Sequence, residues 1–134
     1  MPASYPKSQN IQYFSDINQN RLFTRNAANY INRLGRDHIP EIIRGNGNKF
    51  NIRILDKAEY KEELQLKLKE ELQEYLEARD DSHAVEELAD MLELIYSLVE
   101  VHHSSVEELE EERKEKREIR GGFDDRVYLI DVED

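Results

Sequence analysis

The sequence predicts an all-α protein built around an antiparallel pair of helices, and three observations carry that prediction. Apolar residues recur at helical spacing from Asp56 to Ala78 and again from Ser82 to His102. A short polar turn, Arg79 to Ser82, separates these segments and makes them antiparallel neighbours. The second helix is apolar over more than half of its circumference, so one neighbouring helix cannot cover it. We therefore expect a four-helix-bundle core that forms across a homodimer or a dimer of dimers.

Composition limits the function classes. A chain of 134 residues is long enough for one domain with its own core. Its net charge of -11 argues against passive binding to nucleic acid or to an anionic membrane, and no sequence-specific nucleic acid binding is expected. The absence of Cys and of any 18-residue apolar run favours a cytoplasmic protein that is neither exported nor membrane-spanning.

The first third of the chain divides into an arm and the start of the domain. Residues 1–29 are rich in Asn, Ser and Gln and follow no sustained period, so we interpret them as an N-terminal arm, either partly helical or a surface-wrapped or disordered extension. The domain then spans residues 30–134. It opens with a short helix that contains Pro40 early and stops at Gly45-Asn46-Gly47.

A small two-stranded β ribbon is predicted to accompany the helices. Lys49 to Leu55 alternates apolar and polar residues, with Phe50, Ile52 and Ile54 on one face. Val127 to Val132 is the stretch that matches it as a partner strand.

Two capping boxes indicate where helices begin. Asp56 is followed three residues later by Glu59, at the start of the first long helix, and Ser105 is followed by Glu108. The second box opens a highly charged helix that runs to about Glu118, before the stop signal Gly121-Gly122. Lys116 and Arg120, four residues apart, share one face of this helix. The alternative is that residues 107–120 form only a solvated helix laced with salt bridges.

Four acids on the central helices form the candidate site. Glu71 and Glu74 lie three residues apart, as do Glu87 and Asp90, so each pair projects from one helix face. Counting outward from the middle of the Arg79–Ser82 turn places Glu74 level with Glu87 and Glu71 level with Asp90. The four carboxylates are thus expected to converge at one height.

The helical wheel separates these acids from their neighbours. Glu71 lies within the apolar stripe of its helix and Glu87 lies among apolar residues of the next. Glu86, Glu93 and Glu100 instead recur every seven residues on the polar face, so they should be solvated. A buried ionised carboxylate without a partner is costly, and a bound cation removes that cost.

The ligand type indicates the chemistry. Carboxylates without His or Cys select hard cations, Mg²⁺ or Mn²⁺, which bridge to substrate phosphates. Phosphate chemistry assisted by metal, with nearby Lys or Arg neutralising charge, is the enzyme hypothesis. Two alternatives stay open: the acids pair with lysines across a bundle, or the chain is a non-enzymatic acidic helical module that binds metal or a partner protein.

Three stretches together resemble a known superfamily. The chain contains Glu71-x-x-Glu74, then a gap of 12 residues, then Glu87-x-x-Asp90. This arrangement looks like the signature of all-α NTP pyrophosphatases, which include MazG, dimeric dUTPases and phosphoribosyl-ATP pyrophosphohydrolases. Residues 33–40 (RLGRDHIP) and 116–123 (KREIRGGF) resemble flanking motifs of the MazG-like, phosphoribosyl-ATP pyrophosphohydrolase-like branch. The chain has Arg33, Gly35 and His38 where that branch is expected to have Lys, a β-branched residue and Lys.

The resemblance implies an activity and roles for residues. Glu71, Glu74, Glu87 and Asp90 would hold Mg²⁺ as the catalytic and metal-binding set. The reaction would cleave a nucleotide between its α- and β-phosphates and release a monophosphate and pyrophosphate. The candidates for phosphate contacts are Arg36, Lys116 and Arg120.

Overall fold

The computed structural model describes residues 32–134, and this part of the chain is helical. The predicted arm, residues 1–29, and the first two residues of the predicted domain, Tyr30 and Ile31, lie outside the described residues. The described part contains four helices and no strand, so the prediction of an all-helical protein is confirmed there. The helices are α1 (Ile39–Gly45), α2 (Lys57–Leu76), α3 (Asp81–Val101) and α4 (Val106–Arg120).

The chain divides into two compact units between Lys67 and Leu68, a point inside α2. In the first unit, the buried apolar side chains among the described residues are Ile42 of α1 and Leu64 of α2. Pro40 stands in the first turn of α1, where its missing N–H leaves no helical hydrogen bond unmade. Gly47 follows the helix with φ of +82°, a left-handed conformation that favours glycine and ends the helix.

The second unit contains the C-terminal part of α2 together with α3 and α4. Its buried side chains are Leu94, Glu71 and Glu87. Charged residue types are almost never fully buried unless they are paired, so two carboxylic acids among the buried residues mark this unit as unusual. All four acids of the candidate metal site lie within this second unit.

Both predicted capping boxes supply a helix cap. The Asp56 carboxylate accepts a hydrogen bond from the N–H of Glu59 at 2.9 Å, at the start of α2. The Ser105 hydroxyl accepts one from the N–H of Glu108 at 3.1 Å, at the start of α4. Each side chain satisfies one of the backbone N–H groups that the first turn of a helix leaves without a partner.

The start of α3 differs from the prediction. The cap is Asp80, not Ser82: its backbone is extended, and its Oδ1 accepts a hydrogen bond from the N–H of His83 at 2.8 Å. A carboxylate at this position also interacts favourably with the positive end of the helix dipole, whereas Ser82 falls inside the first turn. With α2 ending at Leu76, the turn between the two helices occupies residues 77–80.

The predicted β ribbon is absent from the described part of the chain, and this prediction is corrected. Residues 48–56 and 126–134 contain no strand. The side chains that were to form the ribbon's apolar face are exposed: Ile52 by 64%, Ile54 by 88% and Leu129 by 73%. A two-stranded ribbon is marginal in water unless a face is covered, and no such burial supports it here.

The helices of the second unit leave a set of large apolar side chains exposed. On α3 these are Val85, Leu88 and Leu92, spaced three and four residues apart and hence on one stripe. Leu72 and Leu76 are exposed on α2. Within residues 32–134, no helix combines the length and apolar character needed to cross a membrane.

Candidate metal centre

A hydrogen-bonded turn leads from α2 into α3. His83 in the first turn of α3 makes a 2.6 Å hydrogen bond through Nδ1 to Asp80, and Arg79 donates to its Nε2 at 3.1 Å. Because a guanidinium can only donate, Nε2 is the acceptor in the contact with Arg79 and Nδ1 faces the Asp80 carboxylate. Hydrogen bonds to His83 hold the pKa of Asp80 below its usual range. The turn is thus tied to the start of α3, close in sequence to the acids.

Three of the four predicted site acids converge. Carboxylate oxygens of Glu71, Glu74 and Glu87 lie within 4.8 Å of one another. The side chain of Glu87 is 1% exposed and that of Glu71 is 8% exposed, whereas Glu74 is exposed. The cluster therefore has two carboxyl groups on its protein side and one on its solvent side, in an arrangement that is open to a ligand from one direction.

Asp90 belongs to the same surroundings but takes a different position. It lies outside the group of three whose oxygens approach within 4.8 Å, and it is half-buried on α3. Its charge nevertheless acts on Glu71, since it is one of the causes of the raised pKa of that residue. Asp90 is therefore placed to influence the cluster electrostatically.

The pKa of Glu71 is raised by burial and by the acids around it. Burial raises the pKa of Glu71 to about 9, and a hydrogen bond with Glu87, the charge of Glu74 and the charge of Asp90 raise it further. Every one of these causes disfavours the ionised form, and none is a basic side chain of the described residues. At neutral pH the protonated carboxyl of Glu71 therefore donates a hydrogen bond to a neighbouring carboxylate, which relieves part of the repulsion.

The cluster fits a hard divalent cation. The Oε2 atom of Glu71 is buried and makes no hydrogen bond within the described residues, and a buried acceptor without a donor costs free energy. A cation between Glu71, Glu74 and Glu87 would supply a positive partner for that oxygen. An all-oxygen donor set is the one that Mg²⁺ and Mn²⁺ prefer. These three acids could therefore hold a metal ion.

The wheel-based separation of the acids is confirmed by burial. Glu86, Glu93 and Glu100 of α3 are exposed, while Glu87 beside them is buried. The interaction of a side chain with the core depends on its angle around the helix axis, and 100° per residue turns Glu86 and Glu87 to different surroundings.

The height count needs a correction. Glu71 hydrogen-bonds with Glu87, whereas it was expected to lie level with Asp90. The turn occupies residues 77–80, so its midpoint lies between Ala78 and Arg79, two residues earlier than the midpoint that the count used. Counted outward from this midpoint, Glu71 and Glu87 lie within one residue of the same level.

The three predicted phosphate contacts have different positions. Arg36 is exposed and lies in the first unit. Lys116 and Arg120 lie in the second unit, on α4, where both are exposed and four residues apart on one helix face. The described part of the chain shows no hydrogen bond or ion pair between these two residues and the acidic cluster.

Two features of the second unit were missed by sequence reasoning. The Asp80–His83 contact has a signal in the sequence, since Asp80 is as good a cap residue as Ser82. A groove of about 400 Å³ is lined mainly by Leu98, Val99 and Leu109, where α3 and α4 meet, and it contains none of the predicted site residues. No pattern in the sequence pointed to it, because its walls come from two helices whose packing is tertiary.

Comparison with known proteins adds no assignment. No protein-family model matches the chain, and neither a curated protein nor a solved structure matches it. The acidic cluster and the motifs in the sequence are therefore the features from which a function can be proposed.

Proposed function

We propose that this chain is a Mg²⁺-dependent nucleotide pyrophosphohydrolase, which cleaves between the α- and β-phosphates of a nucleoside triphosphate or related nucleotide. The single observation that carries the proposal is the buried carboxyl of Glu71. It lies against Glu74 and Glu87, and its Oε2 atom makes no hydrogen bond among the described residues. Two buried carboxyl groups facing each other stabilise a fold poorly, so their value lies in what they bind.

Each acid has a defined part in holding the metal. Glu71 and Glu87 would bind Mg²⁺ or Mn²⁺ from the protein side, and Glu74 would bind it from the solvent side. Asp90 adds negative charge next to this set. A bound cation of this kind supplies Lewis-acid stabilisation of phosphoryl oxygens and lowers the pKa of a coordinated water.

The chain's own residues support a substrate that carries a polyphosphate, whose α–β linkage is a phosphoanhydride. The exposed position of Glu74 leaves the cluster open towards solvent, where substrate phosphates can complete the coordination that the protein does not fill. The buried position of Glu87 excludes water from the opposite side and keeps that carboxylate fixed. The motifs that resemble the all-α NTP pyrophosphatases support cleavage to monophosphate and pyrophosphate.

The basic residues of α4 support a phosphate role. Arg113 pairs with Glu110 in the same helix, and Arg117 pairs with Asp124 at 3.0 Å. Lys116 and Arg120 enter no such pair within the described residues, so their charges are available to a phosphate group. Arg36, in the first unit, is the third candidate on the basis of its motif.

A homodimer, or a dimer of dimers, completes the proposal. The exposed stripe Val85, Leu88 and Leu92 on α3 needs cover, and packing against the same surface of a second chain would turn two hairpins into a four-helix bundle. Pairing of this kind would also bring basic residues of one chain near the acids of the other.

The test is a pyrophosphate assay with matched variants. The purified chain is incubated with nucleoside triphosphates and a phosphoribosyl nucleotide in Mg²⁺, and pyrophosphate and orthophosphate are measured separately. We expect pyrophosphate, and none in EDTA. Loss of a group that orients a metal ligand lowers activity roughly tenfold to hundredfold. Glu71→Gln and Glu87→Gln remove proposed ligands themselves, so each should lower the rate of pyrophosphate release by at least that much.

Glu93→Gln is the matched control, because Glu93 is an exposed acid on the same helix as Glu87. Its rate should equal that of the wild type. Binding of Mn²⁺ without release of pyrophosphate from any substrate would contradict the enzyme proposal, and would leave a metal-binding module as the function of the cluster.

A further inference from the structure

The C-terminal segment, residues 127–132, presents an unusual surface. Val127, Tyr128, Leu129, Ile130 and Val132 are all apolar, and each is between 73% and 88% exposed. Successive side chains of an extended segment point to opposite faces, so in an extended conformation this segment would be apolar on both faces. Strands of that kind are found paired and covered, since isolated they expose both apolar side chains and backbone hydrogen-bonding groups.

The segment leaves α4 through a defined turn. Gly121 has φ of +84°, and the N–H of Arg126 donates to the carbonyl of Phe123 at 3.3 Å. Arg117 on the last turns of α4 donates to the carboxylate of Asp124 at 3.0 Å. A Cβ added at Gly122 would meet the Arg117 guanidinium, which lies over this turn. These contacts give the segment a fixed starting point.

A complementary segment is present elsewhere in the same sequence. Residues 48–55 (NKFNIRIL) alternate apolar and polar residues, with Ile52 and Ile54 exposed and no strand formed. They contain two bases, Lys49 and Arg53, and no acid, whereas residues 127–134 (VYLIDVED) contain three acids and no base. Arg53 also pairs with Glu59 at 2.7 Å but remains 69% exposed, so its charge still faces solvent. The two segments therefore match in length, in β pattern and in charge.

We propose that residues 127–132 of one chain add as a β-strand to residues 49–55 of a second copy, with the two copies exchanging these segments reciprocally. The occupant is a second copy because the complementary segment, of opposite charge, belongs to this same chain. Reciprocal exchange satisfies both segments of both chains through one two-fold axis, which is the usual symmetry of homodimers. The interface is of the strand-addition type, in which backbone hydrogen bonds supply the affinity. This inference does not depend on the enzymatic activity.

Cysteine cross-linking tests the exchange, since the chain has no Cys of its own. Ile52→Cys is mixed with Leu129→Cys in one sample and with Tyr128→Cys in another, and both are oxidised mildly. Opposed cross-strand residues are close enough for a disulfide, whereas residues 128 and 129 point to opposite faces. We expect a covalent heterodimer in which one of the two positions cross-links roughly tenfold more than the other.

The control mixture is Ile52→Cys with Glu115→Cys, which places the second thiol on the exposed surface of α4, outside both segments. Cross-linking of positions 128 and 129 no greater than this control would overturn the proposal. So would a disulfide that forms within single chains of the double variant Ile52→Cys/Leu129→Cys while the mixed single variants stay monomeric, because that pattern is a ribbon within one chain.

Hydrogen exchange of the unmodified full chain is an independent measurement. We expect the amides of residues 127–132 to be protected at high protein concentration, and to lose at least roughly tenfold of that protection on dilution into the monomer range. Absence of protection at every concentration, or protection that does not change on dilution, would contradict exchange between copies.

Discussion

At the scale of single residues, Glu71 shows how burial changes what a carboxyl group contributes. Its pKa is raised to about 9 by burial and by neighbouring acids, so it stays protonated at neutral pH in the metal-free chain. The unfolded chain ionises the same group near its ordinary pKa of about 4.5. Holding a proton that the unfolded state releases makes the folded state less stable as pH rises.

The first prediction concerns Glu71→Gln. The glutamine amide has the shape of the protonated acid and can donate to the same carboxylates, and it carries no ionisation in the unfolded state. In EDTA at pH 7 we expect Tm to rise by roughly 3–8 °C, from a shift worth several kcal/mol before relaxation. Differential scanning calorimetry measures it. Glu93→Gln should change Tm little, because Glu93 is exposed.

A second prediction follows from the sign of this pKa shift. Below about pH 4.5, Glu71 is protonated in both the folded and the unfolded chain and adds no pH dependence. Between pH 4.5 and about 9 the unfolded chain binds fewer protons, so the free energy of unfolding of the wild type should fall by up to about 1.4 kcal/mol per pH unit from this group. The Tm advantage of Glu71→Gln in EDTA should therefore grow from pH 5 to pH 9. An advantage that shrinks over this range would show that Glu71 is ionised in the fold.

The third prediction is that added metal reverses the order of the two Tm values, so that the wild type becomes more stable than Glu71→Gln. A ligand that binds only the folded state stabilises it by about 2.7 kcal/mol at a concentration one hundred times its Kd. We expect Mg²⁺ or Mn²⁺ to raise the Tm of the wild type and to leave Glu71→Gln nearly unchanged, because the variant lacks one carboxylate of the cluster. An equal metal-induced rise in both proteins would place the cation elsewhere.

At the scale of helices and turns, the site depends on how α3 begins. Asp80 caps the helix and also binds the ring of His83, so one carboxylate fixes both the helix start and the turn that follows α2. The register between α2 and α3 follows from the length of this turn. Since Glu71 and Glu87 meet across the two helices, that register decides which carboxyl groups approach each other.

The fourth prediction separates Asp80 from the neighbouring residue Ser82. Loss of an N-cap side chain costs about 1 kcal/mol of unfolding free energy. Asp80→Ala should therefore lower Tm by roughly 3–6 °C, measured by circular dichroism during heat-induced unfolding. Ser82→Ala should lie within about 0.5 kcal/mol of the wild type, because Ser82 is exposed in the first turn and accepts no capping hydrogen bond among the described contacts. The opposite order of the two variants would mean that α3 begins two residues later.

At the scale of the whole molecule, two kinds of exposed apolar surface call for a partner. The stripe Val85, Leu88 and Leu92 lies on α3, and residues 127–132 follow α4. Contiguous exposed apolar patches often mark sites of protein–protein interaction. The bundle interface and the exchanged strand are separate proposals, since the first buries helix surface and the second buries backbone edges.

The fifth prediction is the oligomeric state. Light scattering at micromolar protein should give a mass of at least twice the 15.9 kDa of the chain. The double variant Leu88→Glu/Leu92→Glu should lower this mass, because it places charges in the proposed helix-to-helix contact, while the exchanged strands are left unchanged. Ile119→Glu, at an exposed apolar position of α4, is the control and should keep the wild-type mass. A wild-type mass near 15.9 kDa would refute association.

What the sequence determined by itself was local. The capping boxes at Asp56 and Ser105, the helices they open, and the separation of Glu71 and Glu87 from the polar-face acids of α3 all follow from short-range hydrogen bonding and from a period of 3.6 residues. These features need no knowledge of distant residues, so a one-dimensional pattern is sufficient to predict them.

What the tertiary structure decided was everything that depends on register and burial. Asp80, Asp81 and Ser82 are all acceptable caps, and only the folded turn selects Asp80 and thereby pairs Glu71 with Glu87 rather than with Asp90. The β pattern of residues 49–55 and 127–132 forms no strand in the described chain, because strand pairing needs a covered partner that alternation alone does not supply. A periodic sequence sets the direction of each side chain, and the packing of separate elements sets what that side chain meets.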